Sequence, residues 1–234
     1  MKGVYVMGGY PTRERFIECF SDAADAGFDF IEAGIPFNDP VADGPVISGA
    51  GEQALSTGIT PSMIMDDLLG LKNIPVKKYV MTYANIIYSF GPEEFSEKYG
   101  SILDGVIIAD LPNRMAPRFE RMGLTVPVVP FATLETREED IELISRSDSE
   151  IIYFVGLRGT TGSSGNLKSD EAASKIEMLK RGSSKKIVIG FGIKTRADAE
   201  TALSLGDGFV VGTEAVSRQE NRSAYREYIK SLIR

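Results

Sequence analysis

The chain has 234 residues, is 43% hydrophobic, and sets 26 Lys and Arg against 33 Asp and Glu for a net charge of −7. That length admits one barrel-sized core, and the acidity leaves no basic surface for the phosphate contacts that dominate nucleic-acid binding. Histidine is absent and cysteine occurs once, which excludes the usual general base, the commonest metal ligand, an intrachain disulfide and any Ser-His or Cys-His nucleophile, leaving carboxylates, lysines, hydroxyls and tyrosines for chemistry.

The opening MKGVYVMGGYPT is broken by Gly8, Gly9 and Pro11 too early to serve as a signal peptide or membrane span, so a soluble cytoplasmic protein is expected. Strand 1 is predicted in GVYVMG (3–8), followed by a helix from Arg13 to Ala26 with Phe16, Phe20, Ala23 and Ala24 along one side. Cys19 sits between the two phenylalanines as a packing position. Seven further strands are predicted in FDFIEAG (28–34), VKKYVMTY (76–83), DGVIIAD (104–110), VPVVPF (126–131), EIIYFVG (150–156), KIVIGFG (186–192) and DGFVVGT (207–213). Most are continuously apolar, as strands buried on both faces are.

Helical periodicity separates the strands, as in Thr195 to Leu205 with Ala199, Ala202 and Leu203 on one side. Gly27, Gly58, Gly123, Gly182 and Gly206 fall where these helices should end. Ser163 to Gly165 marks a local loop, and no linker interrupts the series. Eight βα units in one chain predict an α/β (β/α)8 TIM barrel, a parallel eight-stranded barrel forming a single domain over residues 1–234. An open doubly wound sheet has fewer strands and a Gly-rich turn after the first. The barrel reading places the active site at the C-terminal ends of the strands, with phosphate held after strands 7 and 8.

FIEAGIPFNDPVADGP (30–45) puts Glu32 in an apolar run and Asp39 and Asp43 on a loop stiffened by Pro36, Pro40 and Pro45. Alternation sets Phe28, Phe30 and Glu32 on one face. A carboxyl among apolar neighbours holds its proton to higher pH, as a donor working near neutrality requires. The residues alone equally admit a glutamate satisfied by backbone N–H groups. Asp39 reads as a turn residue before Pro40. Asp43 reads either as a turn residue before Gly44 or as the second member of an acid/base pair.

EAGIPFNDPVADGP (32–45) resembles the signature of the tryptophan synthase alpha subunit family, and MTYANIIY (81–88), DGVIIADLP (104–112), GTTG (159–162), GFGIKT (190–195) and GDGFVVGTEAV (206–216) extend the resemblance along almost the whole chain. That family is a (β/α)8 barrel. It cleaves indole-3-glycerol phosphate to indole and glyceraldehyde 3-phosphate by a retro-aldol reaction with no cofactor in this subunit. The resemblance implies that Glu32 is the acid/base at indole C3 and that Asp43 is the ionised acceptor of the indole N–H. Tyr83 and Tyr153 match pocket aromatics, and Tyr5 stands where many members have phenylalanine. The phosphate would meet Gly162, Gly192, Gly212 and Thr213, the last usually serine in the family. Thr161 would help close the loop after strand 6 and hold Asp43, with Asp110 as a supporting anchor. The usual N-terminal capping helix is missing, so the barrel floor must be closed another way.

The resemblance also implies a beta-subunit partner carrying pyridoxal phosphate, in an alpha2beta2 assembly. Its contact surface is expected around Pro36 to Pro45 and along YANIIYSF, with Ile86, Ile87, Tyr88 and Phe90 as anchors, unless these form a local core. A chain acting mainly as an allosteric binding module is the rival from another class. Within enzymes, the alternative is a related phosphosugar lyase or isomerase. A Schiff-base aldolase needs a lysine at a strand's C-terminal end, whereas Lys77, Lys78, Lys185 and Lys186 open strands and Lys168 and Lys194 lie in loops or helix starts.

Overall fold

The computed structural model describes residues 1–156, 170–190 and 192–233. Within these residues the apolar runs form eight parallel strands, β1 (Lys2–Met7), β2 (Phe30–Gly34), β3 (Lys77–Thr82), β4 (Gly105–Ile108), β5 (Phe131–Thr133), β6 (Ile151–Val155), β7 (Lys186–Ile189) and β8 (Gly208–Val211). They join in the order β4-β3-β2-β1-β8-β7-β6-β5. The helices between and after them are α1 (Arg13–Ala26), α2 (Pro45–Ser56), α3 (Pro61–Gly70), α4 (Ala84–Phe90), α5 (Pro92–Tyr99), α6 (Ala116–Arg121), α7 (Glu138–Arg146), α8 (Asp170–Gly182), α9 (Arg196–Leu205), α10 (Thr213–Gln219) and α11 (Arg222–Ile233). Among the described residues no helix is long and apolar enough to cross a membrane.

The two ends of the strand order meet at one bridge, Val106 to Val128. Val106 N donates to Pro127 O and Val129 N to Val106 O, both at 2.9 Å. This contact turns the curled sheet into a barrel. The fifth strand, expected at 126–131, becomes a regular strand only from Phe131 to Thr133. Pro127 and Pro130 have no N–H to give a ladder. The Asn113 side chain fills the gap beside β5, accepting from Phe131 N at 3.0 Å and donating to Phe131 O at 2.7 Å.

Side-chain alternation divides the apolar residues into two cores. One lies inside the barrel and includes Tyr5, Phe30, Tyr79, Ile107, Tyr153, Val188 and Val210. The other lies between barrel and helices, with Val4, Val6, Ile31, Phe16, Phe20 and Ile64 among its members. Inside, aromatics face glycines. A Cβ on Gly3 would lie 2.0 Å from the Phe30 ring, and one on Gly105 3.0 Å from the Tyr79 ring.

No helix precedes β1 in the described residues. Toward the N-terminal ends of the strands the barrel interior is filled by aromatics: the Phe30 and Tyr79 rings meet edge to face at 5.5 Å. Tyr79 donates to Glu150 at 3.2 Å, and Lys77 pairs with the same carboxylate.

The α1 helix starts at its Thr12 cap, which accepts from Arg15 N, and stops at Gly27, whose φ of 93° suits glycine. Its Arg15 and Asp22 are buried beneath α11. Arg222 of α11 holds both Asp22 oxygens at 3.1 Å, and Arg15 Nε donates to Gln219 O at 2.7 Å. Gln219 then clamps the end of β1, donating to Met7 O and Tyr10 O at 2.8 and 2.7 Å and accepting from Met7 N at 2.9 Å.

Candidate active site

Strand pairing sets Tyr5, Glu32 and Tyr79 side by side on β1, β2 and β3, and alternation turns all three into the barrel. Glu32 is 0% exposed, and neither of its oxygens has a hydrogen-bond partner among the described residues. The alternative of a glutamate satisfied by backbone N–H groups therefore does not hold there. Burial pushes Glu32 up to about 8; the nearby Tyr153 hydroxyl opposes the rise and Asp43 adds to it. At neutral pH this carboxyl carries its proton.

Asp43 stands on the loop between β2 and α2 and is half-buried. The Tyr83 hydroxyl donates to Asp43 Oδ2 at 3.1 Å and accepts from Ala42 N at 3.3 Å, so one phenol from the N-cap of α4 fixes two loop residues. The Tyr83 ring stacks on Phe37 of the same loop at 4.7 Å. Burial raises Asp43 from its ordinary value and the Tyr83 hydrogen bond opposes that rise. One carboxyl is sealed in, and the other sits at a partly wet rim with a hydroxyl donating to it. Asp39, on the same loop, is exposed.

Tyr5 and Tyr153 flank this pair, each leaning against a glycine at or just beyond the end of a neighbouring strand. A Cβ on Gly34 would lie 1.8 Å from the Tyr5 hydroxyl, and one on Gly190 2.0 Å from the Tyr153 ring. Burial first, and then nearby carboxylates, hold both hydroxyls well above their ordinary range, so they stay protonated donors. The fold thus gathers Tyr5, Glu32, Asp43, Tyr83 and Tyr153 at the C-terminal end of the strands.

Beyond β7, Gly192 has a φ of 79°, a conformation that favours glycine. Beyond the neighbouring β8, Gly212 caps α10 and Thr213 is its first residue. All three are partly open to solvent. Asp110 accepts from Ala84 N at 2.8 Å, holding the start of α4 and with it the position of Tyr83. Thr161 and Gly162 lie outside the described residues, as do Ser163 to Gly165 and Lys168. Lys77, Lys78 and Lys186 open β3 and β7, on the N-terminal side of the level at which Glu32 registers with Tyr79.

Ile86 and Ile87 are 6% and 0% exposed, so they belong to the core and are not surface anchors. Tyr88 beside them is 40% exposed. The helical run spends its isoleucines on the barrel and leaves its tyrosine outside. Sequence reasoning missed Gln219 and Phe37. A glutamine between Arg218 and Glu220 looks like part of a wet helix face, and nothing in the local pattern marks it as fully buried.

A family model described as tryptophan synthase alpha chain matches residues 4–232. The chain belongs to the tryptophan synthase alpha chain family. It is 36% identical over 234 residues to the tryptophan synthase alpha chain of Staphylococcus epidermidis, covering 97% of this chain and 94% of that one. It is 37% identical over 235 residues to the tryptophan synthase alpha chain of Bacillus cereus, covering 98% and 89%. Among solved structures, a protein of Aquifex aeolicus superposes with a TM-score of 0.88 at 30% identity, covering 98% of this chain and 90% of that one. Mycobacterium tuberculosis tryptophan synthase has the same fold, with a TM-score of 0.89 at 24% identity over 99% and 90%. The tryptophan synthase alpha chain family is one of lyases, and its members are TIM barrels like this one.

Proposed function

We propose that this tryptophan synthase alpha chain homologue works as a single barrel domain that cleaves indole-3-glycerol phosphate to indole and glyceraldehyde 3-phosphate, with no cofactor of its own. Glu32 gives its proton to indole C3. The bond from C3 to the glycerol chain then breaks as the adjacent hydroxyl loses its proton and becomes the aldehyde, and the released proton returns to Glu32. Asp43, ionised, accepts the indole N–H and balances the positive charge that develops on the ring. Tyr5, Tyr83 and Tyr153 line the ring site. Gly192, Gly212 and Thr213, with Gly162, offer backbone N–H groups and one hydroxyl to the phosphate. Thr161 closes over the substrate and holds Asp43, and Asp110 supports the rim.

A single observation carries this reading: a fully buried Glu32, pushed up to about 8, faces a second carboxyl at the open end of the barrel. Purified protein given indole-3-glycerol phosphate is expected to release indole, and Glu32→Gln is expected to stop it. Release of indole by Glu32→Gln at the parent rate would refute the assignment.

The partner is a beta subunit that carries pyridoxal phosphate and takes up the indole, in an alpha2beta2 complex in the cytoplasm. Support comes from the exposed Val41 and Tyr88 and from a 300 Å³ cavity among the loop after β2, α2, α3 and α4, lined mainly by apolar residues such as Pro36, Phe37, Leu55, Ile86 and Phe90.

A further inference from the structure

The β1 strand pairs with β8 only as far as Val4 and Val211. Alternate residues of a strand turn their backbone groups to alternate neighbours. Met1 O accepts from Phe209 N at 3.0 Å, so Met7, an even number of residues on, also turns its N–H and C=O toward the β8 side. By then β8 has left: Gly212, with φ −115° and ψ −83°, turns the chain into α10. The Gln219 side chain, 0% exposed, comes back from the far end of α10 and takes the vacated place. It accepts from Met7 N at 2.9 Å and donates to Met7 O at 2.8 Å.

The other seam repeats the device. Val129 N donates to Val106 O at 2.9 Å, so Phe131 likewise turns its N–H and C=O toward β4, but β4 ends at Ile108. Asn113, from the chain between β4 and α6, accepts from Phe131 N at 3.0 Å and donates to Phe131 O at 2.7 Å. A side-chain amide offers the same donor and acceptor as a peptide unit, so each one completes a ladder that the neighbouring strand abandons. The two seams divide the barrel into β1 to β4 and β5 to β8. Glu32 and Asp43 stand in the first half, whereas Gly192, Gly212 and Thr213 follow β7 and β8 of the second.

We propose that Gln219 and Asn113 are positioning residues: by splicing the two half-barrels at the mouth, they hold Glu32 and Asp43 at one substrate's length from the phosphate residues. Neither amide acts on the reacting atoms. Without them the strand edges at Met7 and Phe131 lose their partners just where the halves diverge, and a shift of about 1 Å between the two ends of a substrate costs on the order of 100-fold. The inference rests on indole-3-glycerol phosphate as the substrate.

The test uses the full chain with Gln219→Met and, separately, Asn113→Leu, which keep side-chain bulk and remove the amide. Circular dichroism checks folding first. Asn113 is partly exposed, so its variant is expected to fold even if that of the buried Gln219 does not. For indole-3-glycerol phosphate, kcat/KM should fall by about 10- to 100-fold, with a raised KM. Indole alone and glycerol 3-phosphate alone each fill one end of the site, and their inhibition constants should stay at the parent's values. A purely structural role would shrink the folded fraction, lowering kcat and leaving KM unmoved. A folded variant that keeps the parent's kcat/KM, loses only kcat, or binds either separate ligand more weakly by the same factor overturns the role of these amides. A parent that releases no indole overturns the reading beneath it.

Discussion

Burial of Glu32 acts in two opposed directions. It keeps a proton on the carboxyl near neutrality, and it makes the folded state less favourable than a neutral residue would. The ordinary value of 4.5 rises to about 8 on folding. Between those limits the folded chain keeps a proton that the unfolded chain gives up, so stability falls as pH rises from about 4.5 to about 8. Glu32→Gln removes that penalty. Chemical denaturation at pH 7 should find the variant more stable than the parent by about 3 kcal/mol, with the gap closing toward pH 4.5. Glu32 was legible in the sequence because one charge interrupts an apolar run. Asp43 was legible only as one of two loop aspartates, since its Tyr83 partner comes from 40 residues further along the chain. Gln219 gave no sign at all.

Among elements, those bounded by their own chemistry were read well. The α1 helix runs over the expected residues, and α9 begins just inside its Thr195 cap, whose hydroxyl and Asp198 form a capping box. Gly27, Gly58 and Gly123 end helices with φ values of 93°, 84° and 93°. Gly206 serves a different need. It is extended, and a Cβ there would lie 2.9 Å from Ile187 O, so close strand approach selects it. What the sequence left unread is tertiary: the shift of β5 past Pro130, and the clamp that α10 places on β1. Gln219→Ala would leave one N–H and two carbonyls of Met7 and Tyr10 without these partners. We expect a loss of about 2 to 4 kcal/mol in urea unfolding, against a change under 1 kcal/mol for the exposed neighbour Glu220→Ala.

Across the whole molecule, closure is uneven. The β1 strand pairs with β2 through five registered positions and with β8 through three, whereas β4 meets the β5 side through the single Val106–Val128 bridge. Amides of Val106 and Val129 should therefore exchange at least about tenfold faster than those of Val4 and Val6 under native conditions. Equal protection would mean that the seam opens only with the whole barrel. Eight strands and a site at their C-terminal ends could be inferred from patterning. The half-exposed Lys77–Glu150 pair on the floor, and the fit of Phe30 against Gly3, could not be, because they join residues from different βα units.

The central claim is that a proton-bearing Glu32 and an ionised Asp43 act together on the substrate. Its most direct test is kcat/KM for indole formation from indole-3-glycerol phosphate across pH, for the parent and for Glu32→Gln. The parent should show a bell whose alkaline limb falls near pH 8, where Glu32 loses its proton, and whose acid limb lies above the ordinary aspartate value of 3.8. Glu32→Gln should lose about 100- to 10,000-fold and the alkaline limb with it. A parent profile that stays level through pH 8, or a variant that keeps the parent's rate, would contradict the account.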